Sequence, residues 1–431
     1  MIIAALRTPI CRANGQLKPL RAEELLAPVL RSLLKTTGVA GPDVTDVVIG
    51  NAVGGGGNLA RYAALLAGLP VGVPGLTVDR QCGSGLDAIA LASRLVAAGG
   101  NGVFLAGGVE SISTAPLRAR RNPDPDGEPD FYTRATFVPP GFGDPDMGVA
   151  AENVARECGV SREQQDGFAV RSHERAVAAR AAGAFASEIV PLEAGGTVVQ
   201  ADDGPRASLK AGLMARFPSA FVPGGTVTAG NSCFDADAAS AVVITSLERA
   251  RQLGAADGLL VLGCDTAGVD PELLGLGASV AARRLLAGLD LEPAELDLVE
   301  FNEAFASQTL ACLEALGVEP ERANLDGGAL ALGHAYGASG AVLVTRLLAQ
   351  ARRIAEDQRP GEPGTGDDQH RGWHGHGGNV PVLPVAGQLV FRVAKTARGQ
   401  GIAGLARIGN RGDEYRQYQG ARIAFEAART G

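Results

Sequence analysis

Residues 78–100 read VDRQCGSGLDAIALASRLVAAGG, a glycine-rich turn followed by an apolar pattern with helical periodicity from about Gly85 to Ala98. The segment DVVIGNAV (46–53) precedes this stretch, and VFLAGGVES (103–111) follows it. Each of these flanking segments is apolar and short, as expected for a buried strand. Alternation of strand, helix and strand predicts an α/β layered fold.

The chain contains a second unit of the same kind. LVEFNEAFA (298–306) is a strand-like segment, and GHAYGASG (333–340) is a glycine-rich turn that opens a predicted helix. Asn51 and Asn302 end the strands of the two units, and each is followed about 30 residues later by a Gly-Ser-Gly-type turn. We interpret the pair as a duplicated α/β unit, the alternative being two unrelated strand–loop–helix units.

Other local patterns predict further elements. AEELLAPVLRSLLKT predicts a helix over 22–36, and the apolar core of DVVIGNAV predicts a strand at 47–49. Ser161 and Gln164 have the spacing of a capping box, which predicts a helix that begins there.

Changes in composition suggest the domain boundaries. Residues 117–221 begin with a stretch rich in Pro, Asp and Gly and continue into two helices, which suggests a loop domain seated on the main fold. We therefore expect an N-terminal half at 1–116 and 222–250 and a C-terminal half at 251–431. Within the latter, 355–388 has neither helical nor strand periodicity and reads as an inserted flexible segment.

Composition and charge exclude several classes of protein. The 431 residues carry a formal net charge of −8, which argues against nucleic acid as a partner. No run of about 18 apolar residues occurs, so no transmembrane helix is predicted. The N-terminus has no charged region followed by a long apolar stretch, so no secretory signal is predicted. We expect a cytoplasmic protein.

The cysteines and histidines do not predict a metal site. The six cysteines are widely spaced and include no CxxC pair, which indicates neither a disulfide framework nor a zinc site. The histidines His370, His374 and His376 cluster in glycine-rich sequence, but carboxylate or cysteine ligands at a fixed spacing are missing there. We therefore expect free thiols and no bound metal.

Cys82 has the position of an activated thiol, between an extended segment and the start of a helix. The helix dipole and the free N–H groups of a helix N-terminus lower the pKa of a thiol and stabilise an oxyanion. Gly83 and Gly85 would let a substrate approach the backbone closely. The alternative is a structural cysteine, which is the more common role at a helix start.

His334 and Asn302 are candidates for supporting roles. His334 lies in a second glycine-rich turn before a helix, where an imidazole could take the proton of Cys82 or polarise a carbonyl. Asn302 follows a buried strand and could orient a water molecule or an imidazole. Taken singly, the histidine could be a solvated loop residue and the asparagine an ordinary turn residue.

In combination, these segments resemble one family. The matching segments occur in one order along the chain, namely VDRQCGSGL, GGVES, MGVAAENVA, SREQQDGFAVRSHERA, GTVTAGNS, GVDPELLG, NEAFA and NLDGGALALGHAYGASGA. They resemble the thiolase family, the acyl-CoA C-acyltransferases that make or cleave 3-ketoacyl-CoA, from Met1 to about Ala351. The resemblance implies a thiolase-like α/β fold of two duplicated βαβ-rich halves in five layers (α-β-α-β-α), with an inserted coenzyme A-binding loop domain.

The resemblance also implies roles for the candidate residues. Cys82 matches the nucleophile that becomes acylated, and His334 matches the base that activates it and later helps to hold an enolate oxygen. Asn302 matches the residue that positions a water molecule in the same oxyanion hole. The implied substrate is an acyl-CoA thioester, no other cofactor is expected, and the family forms homodimers or homotetramers.

Four residues resemble positions near coenzyme A. Arg206 and Ser208 lie in the predicted loop domain and could equally be ordinary surface residues. Ser232 and Cys233 lie in TAGNSCFDADAAS, where Cys233 replaces the serine or other small residue that is usual. Cys233 could be a displaced functional thiol or a small buried residue.

The sequence departs from the family pattern near its end. A thiolase normally has a second cysteine in a Cys-x-Gly turn near the C-terminus, which removes the α-proton of the second acyl-CoA. Here no cysteine follows Cys312, and GLARIGN places Arg407 at that position while Gly409 would keep the second oxyanion hole. Arginine stays protonated and cannot act as a base. The turn GHAYG also lacks the usual proline after the histidine.

Three functions are therefore considered. The first is a thiolase-type acyl-CoA acyltransferase that works through an acyl-cysteine, with acyl transfer, Claisen condensation or both. The second is a decarboxylating, ketosynthase-like condensing enzyme that uses Cys-His-Asn, with Arg407 binding the carboxylate of the acyl group. The third is a catalytically impaired coenzyme A-binding or scaffold protein.

Overall fold

A mixed α/β structure is formed by residues 1–357 and by two later strands, which together are the part of the chain that this computed structural model describes. The strands are β1 Ile2–Arg7, β2 Cys11–Arg12, β3 Val44–Gly50, β4 Gly75–Val78, β5 Val103–Glu110, β6 Arg118–Arg120, β7 Asp130–Tyr132, β8 Leu192–Ala194, β9 Thr197–Val199, β10 Ala236–Thr245, β11 Asp257–Cys264, β12 Leu298–Phe301, β13 Pro381–Val385 and β14 Leu389–Lys395. The helices are α1 Ala22–Thr37, α2 Leu59–Leu66, α3 Ser84–Ala97, α4 Met147–Glu157, α5 Arg162–Ala181, α6 Ala211–Met214, α7 Leu247–Gln252, α8 Gly277–Gly288, α9 Ala306–Leu316, α10 Ala329–Leu332 and α11 Tyr336–Asp357.

Ten of the described strands form one sheet. Their order is β12-β13-β14-β11-β1-β10-β5-β3-β4, with β2 paired to β10 beside this path. The strands β4, β3 and β5 are parallel, as expected for strands joined by helical crossovers. β10 runs antiparallel to β5 and β1. Ile2 of β1 pairs with Leu259 of β11, and this pairing joins β11, β12, β13 and β14 to the other strands of the sheet.

The helices lie in three layers around these strands. On one face, α1 and α2 bury apolar side chains such as Leu25 and Leu30 against β3, β5 and β10. On the other face, α3 and α11 pack against each other, and α11 also contacts β12 and β13. Beyond β12, the helices α8 and α9 bury residues such as Leu285 and Leu313. This order of helix, strand, helix, strand and helix agrees with the predicted five-layer fold.

Several predicted elements are confirmed. The helix predicted over 22–36 is α1, the strand predicted at 47–49 is part of β3, and the helix after the Cys82 turn is α3. The capping box at the start of α5 is also present, because Ser161 Oγ accepts the N–H of Gln164 and the Gln164 side chain accepts the N–H of Ser161. Among the described residues, no helix is long and apolar enough to cross a membrane.

The proposed domain boundaries stay a prediction. Residues 117–221 contain two short hairpins and three helices, β6–β7, α4, α5, β8–β9 and α6. Two parts of the predicted flexible insertion at 355–388 are regular structure, because α11 continues to Asp357 and β13 occupies Pro381–Val385. The rest of the insertion lies outside the described residues.

Glycines allow α3 and α11 to approach each other at their N-termini. A Cβ atom on Gly85 would lie 2.5 Å from the carbonyl oxygen of Gly337, and one on Gly340 would lie 2.6 Å from the Leu86 backbone nitrogen. Because neither position has room for a methyl group, only glycine permits this separation. The contact places the turn that carries Cys82 beside the turn that carries His334.

We expect the Gly85→Ala variant to be less stable than the wild type by about 1–3 kcal/mol, the usual cost of overpacking a close contact. The added methyl group would meet backbone atoms of α11, which cannot rotate away. Urea unfolding measures the change. The matched control is Gly167→Ala in α5, where nothing lies within 4 Å of the added atom and a gain of about 0.5–1 kcal/mol is expected. Equal stability of Gly85→Ala and wild type would contradict this helix contact.

Candidate active site

The turn that carries Cys82 is held by the first residue of α3. Ser84 is fully buried, and its hydroxyl accepts the N–H of Arg80 at 2.8 Å and donates to the carbonyl of Gln81 at 2.6 Å. Gln81 has a φ of 49°, in the left-handed region that non-glycine residues seldom adopt. The turn thereby presents Cys82, an exposed residue, at the N-terminus of α3. Sequence reasoning missed Ser84, although its position two residues after the cysteine is visible in QCGSG.

The pKa of Cys82 is raised to about 12, so the expectation of a lowered pKa is wrong. Desolvation by the surrounding protein is the largest cause, although the residue itself presents exposed surface. The negative charge of Glu110 acts in the same direction. The sulfur is therefore a thiol at neutral pH, and its attack on a thioester requires a proton acceptor.

His334 has the properties of such an acceptor. It follows Gly333, whose φ of 104° lets the chain turn sharply between α10 and α11. The ring is buried, and its Nδ1 is hydrogen-bonded to Ser339 Oγ at 2.7 Å. Burial lowers the pKa of His334 to about 4, so the ring is neutral at neutral pH. Within the described part of the chain, Nε2 has no hydrogen-bond partner and remains free to take a proton.

The main chain fixes His334 against the segment before β10. The N–H of His334 donates to the carbonyl of Phe234 at 2.9 Å, and the N–H of Ala236 donates to the carbonyl of His334 at 3.2 Å. His334 and Asp235 therefore form a parallel bridge. This pairing sets the position of the imidazole from two separate parts of the sequence.

A buried carboxylate, Glu110, connects the start of α11 with the segment that follows β3. It accepts the N–H of Gly337 in the first turn of α11 at 3.0 Å and the side-chain N–H of Asn51 at 2.7 Å. The N–H groups of Ala52 and Val53 are its other donors. Burial raises the pKa of Glu110 to about 7 in spite of these four donors. Sequence reasoning assigned Glu110 no role; a charged residue closing the apolar strand in GGVES was the available signal.

Asn302 lies at the end of β12 and borders a small cavity. The cavity has a volume of about 20 Å³, and its lining includes Asn302, Gly328 and Ser339. This is enough room for a water molecule. Because Ser339 also bonds the His334 ring, the cavity connects Asn302 with the surroundings of the imidazole. The role of Asn302 in positioning a water molecule stays a prediction.

Ser232 and Cys233 lie on the segment that runs past the site. The Ser232 hydroxyl is buried and donates to the carbonyl of Thr228 at 2.7 Å, so its proton is used within its own loop. The N–H of Cys233 donates to the carbonyl of Ala304 at 3.0 Å, beside the end of β12. The pKa of Cys233 is raised by burial and by the nearby Cys82, which places the two thiols in one neighbourhood.

Arg206 and Ser208 are exposed. The backbone N–H of Arg206 donates to His173 Nδ1 at 3.1 Å, and its charge lowers the pKa of Arg12, after burial the second cause of that shift. The Arg12 guanidinium lies 3.9 Å from the centroid of the Phe234 ring. Arg206 is therefore near Arg12, which in turn contacts the segment that holds His334.

Among the described residues, no side-chain hydrogen bond or ion pair connects Ser208 to this site. The candidates Arg407 and Gly409 lie outside the described residues, as do the three clustered histidines at 370, 374 and 376.

Alkylation of Cys82 by iodoacetamide tests its raised pKa. We expect the rate to rise about tenfold per pH unit from pH 7 to pH 9 without a plateau, because only the thiolate reacts and its pKa lies above this range. Peptide mass spectrometry follows Cys82 separately from the other cysteines. A plateau above pH 7 would show that the helix N-terminus outweighs burial and Glu110.

Comparison with known proteins shows the family. The model of the thiolase N-terminal domain matches residues 1–248, and that of the thiolase C-terminal domain matches residues 259–359. A Staphylococcus aureus (strain MRSA252) protein named "Putative acetyl-CoA C-acetyltransferase VraB" is 43% identical over 351 residues, covering 81% of this chain and 92% of the relative. "Putative acetyl-CoA C-acetyltransferase YhfS" of Bacillus subtilis (strain 168) is 41% identical over 367 residues, covering 83% and 93%.

A solved structure agrees with these relatives. The crystal structure of the Bacillus anthracis acetyl-CoA acetyltransferase superimposes with a TM-score of 0.80 at 32% sequence identity, covering 91% of this chain and 98% of that one. The predicted thiolase-like fold is therefore confirmed. With both domain models matched in order along one α/β fold, this chain is an acyltransferase that belongs to the thiolase family.

Proposed function

We propose that this protein transfers acyl groups from coenzyme A thioesters through an acyl-cysteine on Cys82 and joins or cleaves 3-ketoacyl-CoA. The observation that carries the proposal is the contact between the N-termini of α3 and α11 at Gly85 and Gly337. Further support comes from the exposed thiol on the first of these turns and the neutral imidazole with a free Nε2 on the second. The names of the relatives, which refer to acetyl-CoA, support a short acyl group as one substrate.

The first step needs a proton donor, the Cys82 thiol, and a proton acceptor, the His334 imidazole. The Cys82 thiol loses its proton to His334 Nε2 while the sulfur attacks the thioester carbonyl carbon. The carbon–sulfur bond to coenzyme A then breaks, the imidazolium returns the proton to the departing sulfur, and free coenzyme A leaves. Because the pKa of His334 is low and that of Cys82 is high, both groups start in the required form at neutral pH.

The second step needs a stabilised enolate. The α-carbon of a second acyl-CoA loses a proton and attacks the acyl-Cys82 carbonyl, and the Cys82 sulfur leaves. We propose that a water molecule held by Asn302 and the neutral His334 ring, in the tautomer with its proton on Nε2 and with Nδ1 accepting from Ser339 Oγ, bind the enolate oxygen. The cavity beside Asn302 supports this role. Neither step requires a metal or an organic cofactor, so we propose no cofactor besides the coenzyme A substrate. Arg206 is our candidate for a contact with the coenzyme A moiety.

We also propose a homo-oligomer. The support is an apolar surface beside β4, which is the last strand of the described sheet path and therefore an edge. The exposed apolar side chains there are Tyr62, Leu65, Leu66, Val71 and Leu76. Light scattering measures the assembly.

Exchange of labelled coenzyme A into unlabelled acetyl-CoA tests the proposed function. The reaction requires the first step and its reversal, and it does not require carbon–carbon bond formation. We expect exchange with ping-pong kinetics together with an acyl adduct on the protein by intact-mass spectrometry. Binding of coenzyme A without exchange or adduct would favour the scaffold alternative.

A further inference from the structure

Carbon–carbon bond formation needs a base, and the groups already placed do not supply it. While the second acyl-CoA reacts, Cys82 carries the acyl group and His334 holds the enolate oxygen. Glu110 is buried and its two carboxylate oxygens already accept four hydrogen bonds. Among the residues that the structure describes, a base for the α-proton must therefore be another group close to Cys82.

Asp235 is fixed beside the imidazole by the main chain. It forms the parallel bridge with His334, and the hydrogen bonds on either side of that bridge measure 2.9 and 3.2 Å. Paired residues of adjacent strands project their side chains to the same face. His334 is buried whereas Asp235 is exposed, so the bridge joins a buried imidazole to a residue that solvent can reach.

Tyr336 orients this carboxylate. The Tyr336 hydroxyl donates to Asp235 Oδ1 at 2.7 Å, and its ring lies 5.3 Å from the His334 ring between centroids. Tyr336 has a φ of 26°, in the left-handed region that a bulky residue rarely adopts, and such backbone strain clusters at functional sites. Asp235 Oδ2 has no hydrogen-bond partner among the described residues, which leaves one carboxylate oxygen free.

Asp235 also interacts electrostatically with the nucleophile. Its charge raises the pKa of Cys82, after burial and Glu110, and it also raises the pKa of Cys233 and Tyr336. Cys233 is a poorer candidate, because burial raises its pKa and keeps it protonated. Tyr336 is a poorer candidate as well, because its proton is engaged with Asp235.

We propose that Asp235, oriented by Tyr336, is the base that removes the α-proton of the second acyl-CoA, an inference that rests on the proposed function. The α C–H bond breaks, the proton moves to Asp235 Oδ2, and its electron pair forms the enolate. The enolate carbon then bonds to the acyl carbon while the bond to Cys82 sulfur breaks. The proton on Asp235 finally neutralises the departing thiolate, so the site returns to its starting state.

A carboxylate makes this step slower than a thiolate would. Carboxylic acids are in general stronger acids than thiols, so a carboxylate is the weaker base. The enzyme should therefore exchange coenzyme A faster than it condenses two acyl groups. Cleavage uses the same group in reverse, with protonated Asp235 returning a proton to the enolate.

Deuterium uptake into the α-position of acetyl-CoA in D2O tests this role. Mass spectrometry of acetyl-CoA measures the exchange, and intact-mass spectrometry of the protein in the same mixture measures Cys82 acylation. We expect Asp235→Asn to acylate normally and to lose about 10²–10⁴-fold in deuterium uptake, the usual contribution of general base catalysis. Asp235→Glu keeps a carboxylate and should restore part of the uptake.

Asp79→Asn is the matched control. Asp79 also raises the pKa of Cys82, but its Oδ1 accepts the N–H of Gln81 at 2.7 Å, and asparagine keeps that acceptor oxygen. Its deuterium uptake should equal that of the wild type. The inference is overturned if Asp235→Asn exchanges like the wild type, if Asp79→Asn loses as much, or if the wild type acylates Cys82 without any uptake.

Two further results distinguish failure of the Asp235 assignment from failure of the proposed function. If both Asp235 variants lose acylation as well as deuterium uptake, Asp235 only supports the shape of the site. That result would overturn its role as base. Absence of acylation in the wild type would overturn the proposed function itself, and the assignment of Asp235 with it.

Discussion

The Cys82→Ser variant is expected to lose coenzyme A exchange by on the order of 10⁴–10⁶-fold, the range seen when a covalent nucleophile is removed. Serine keeps the size of the side chain and fits the same turn, which Ser84 and the backbone hold independently of residue 82. A hydroxyl is much less acidic than a thiol, so His334 cannot prepare it for attack. No acyl adduct should appear by intact-mass spectrometry.

Cys158→Ser is the matched control for this substitution. Cys158 is a half-buried thiol at the end of α4, and its pKa is raised by burial as that of Cys82 is. Its replacement should leave both exchange and the adduct at wild-type levels. If Cys82→Ser still forms a stable acyl adduct or exchanges at more than a hundredth of the wild-type rate, another residue is the nucleophile.

Replacing His334 with glutamine should slow acylation of Cys82 by about 10²–10⁴-fold, the typical contribution of a general base. Glutamine fills part of the ring volume and offers no site that takes a proton. Because the thiol pKa lies near 12, very little thiolate forms at neutral pH without a base. Single-turnover acylation by acetyl-CoA, measured by rapid quench and mass spectrometry, determines the loss.

The pH dependence gives this prediction a second readout. Wild-type acylation should fall only as the pH approaches 4, where His334 takes a proton, and the fall should be absent in His334→Gln. An unfolded histidine is protonated near pH 6.5 whereas folded His334 is protonated near 4, so the free energy of unfolding decreases as the pH falls through this interval.

Ser339→Ala serves as the control for the His334 substitution, because it removes the Nδ1 partner and leaves the base in place. Ser339→Ala should lower the rate of Cys82 acylation less than His334→Gln does. Equal acylation rates for His334→Gln and wild type at neutral pH would show that His334 is not the base.

Local sequence patterns were sufficient to predict the main elements of the fold. The apolar periodicity after QCGSG predicts α3, the AEELLAPVL segment predicts α1, and the capping box predicts the start of α5, all within a residue or two of their bounds. These features depend on contacts between residues close in sequence, so they are visible without the tertiary structure. The same holds for the placement of Cys82 and His334 in turns that open helices.

The chemical state of the site followed only from the tertiary structure. The helix start alone suggested a lowered pKa for Cys82, but desolvation and the charge of Glu110, 28 positions along the chain, raise it. The pairing of Asp235 with Tyr336 joins residues 101 positions apart. The sequence therefore determined the helices, the strands and the candidate nucleophile. Only the tertiary structure decided the protonation state of Cys82 and the hydrogen-bond partner of Asp235, because both depend on groups that are distant in sequence and close in space.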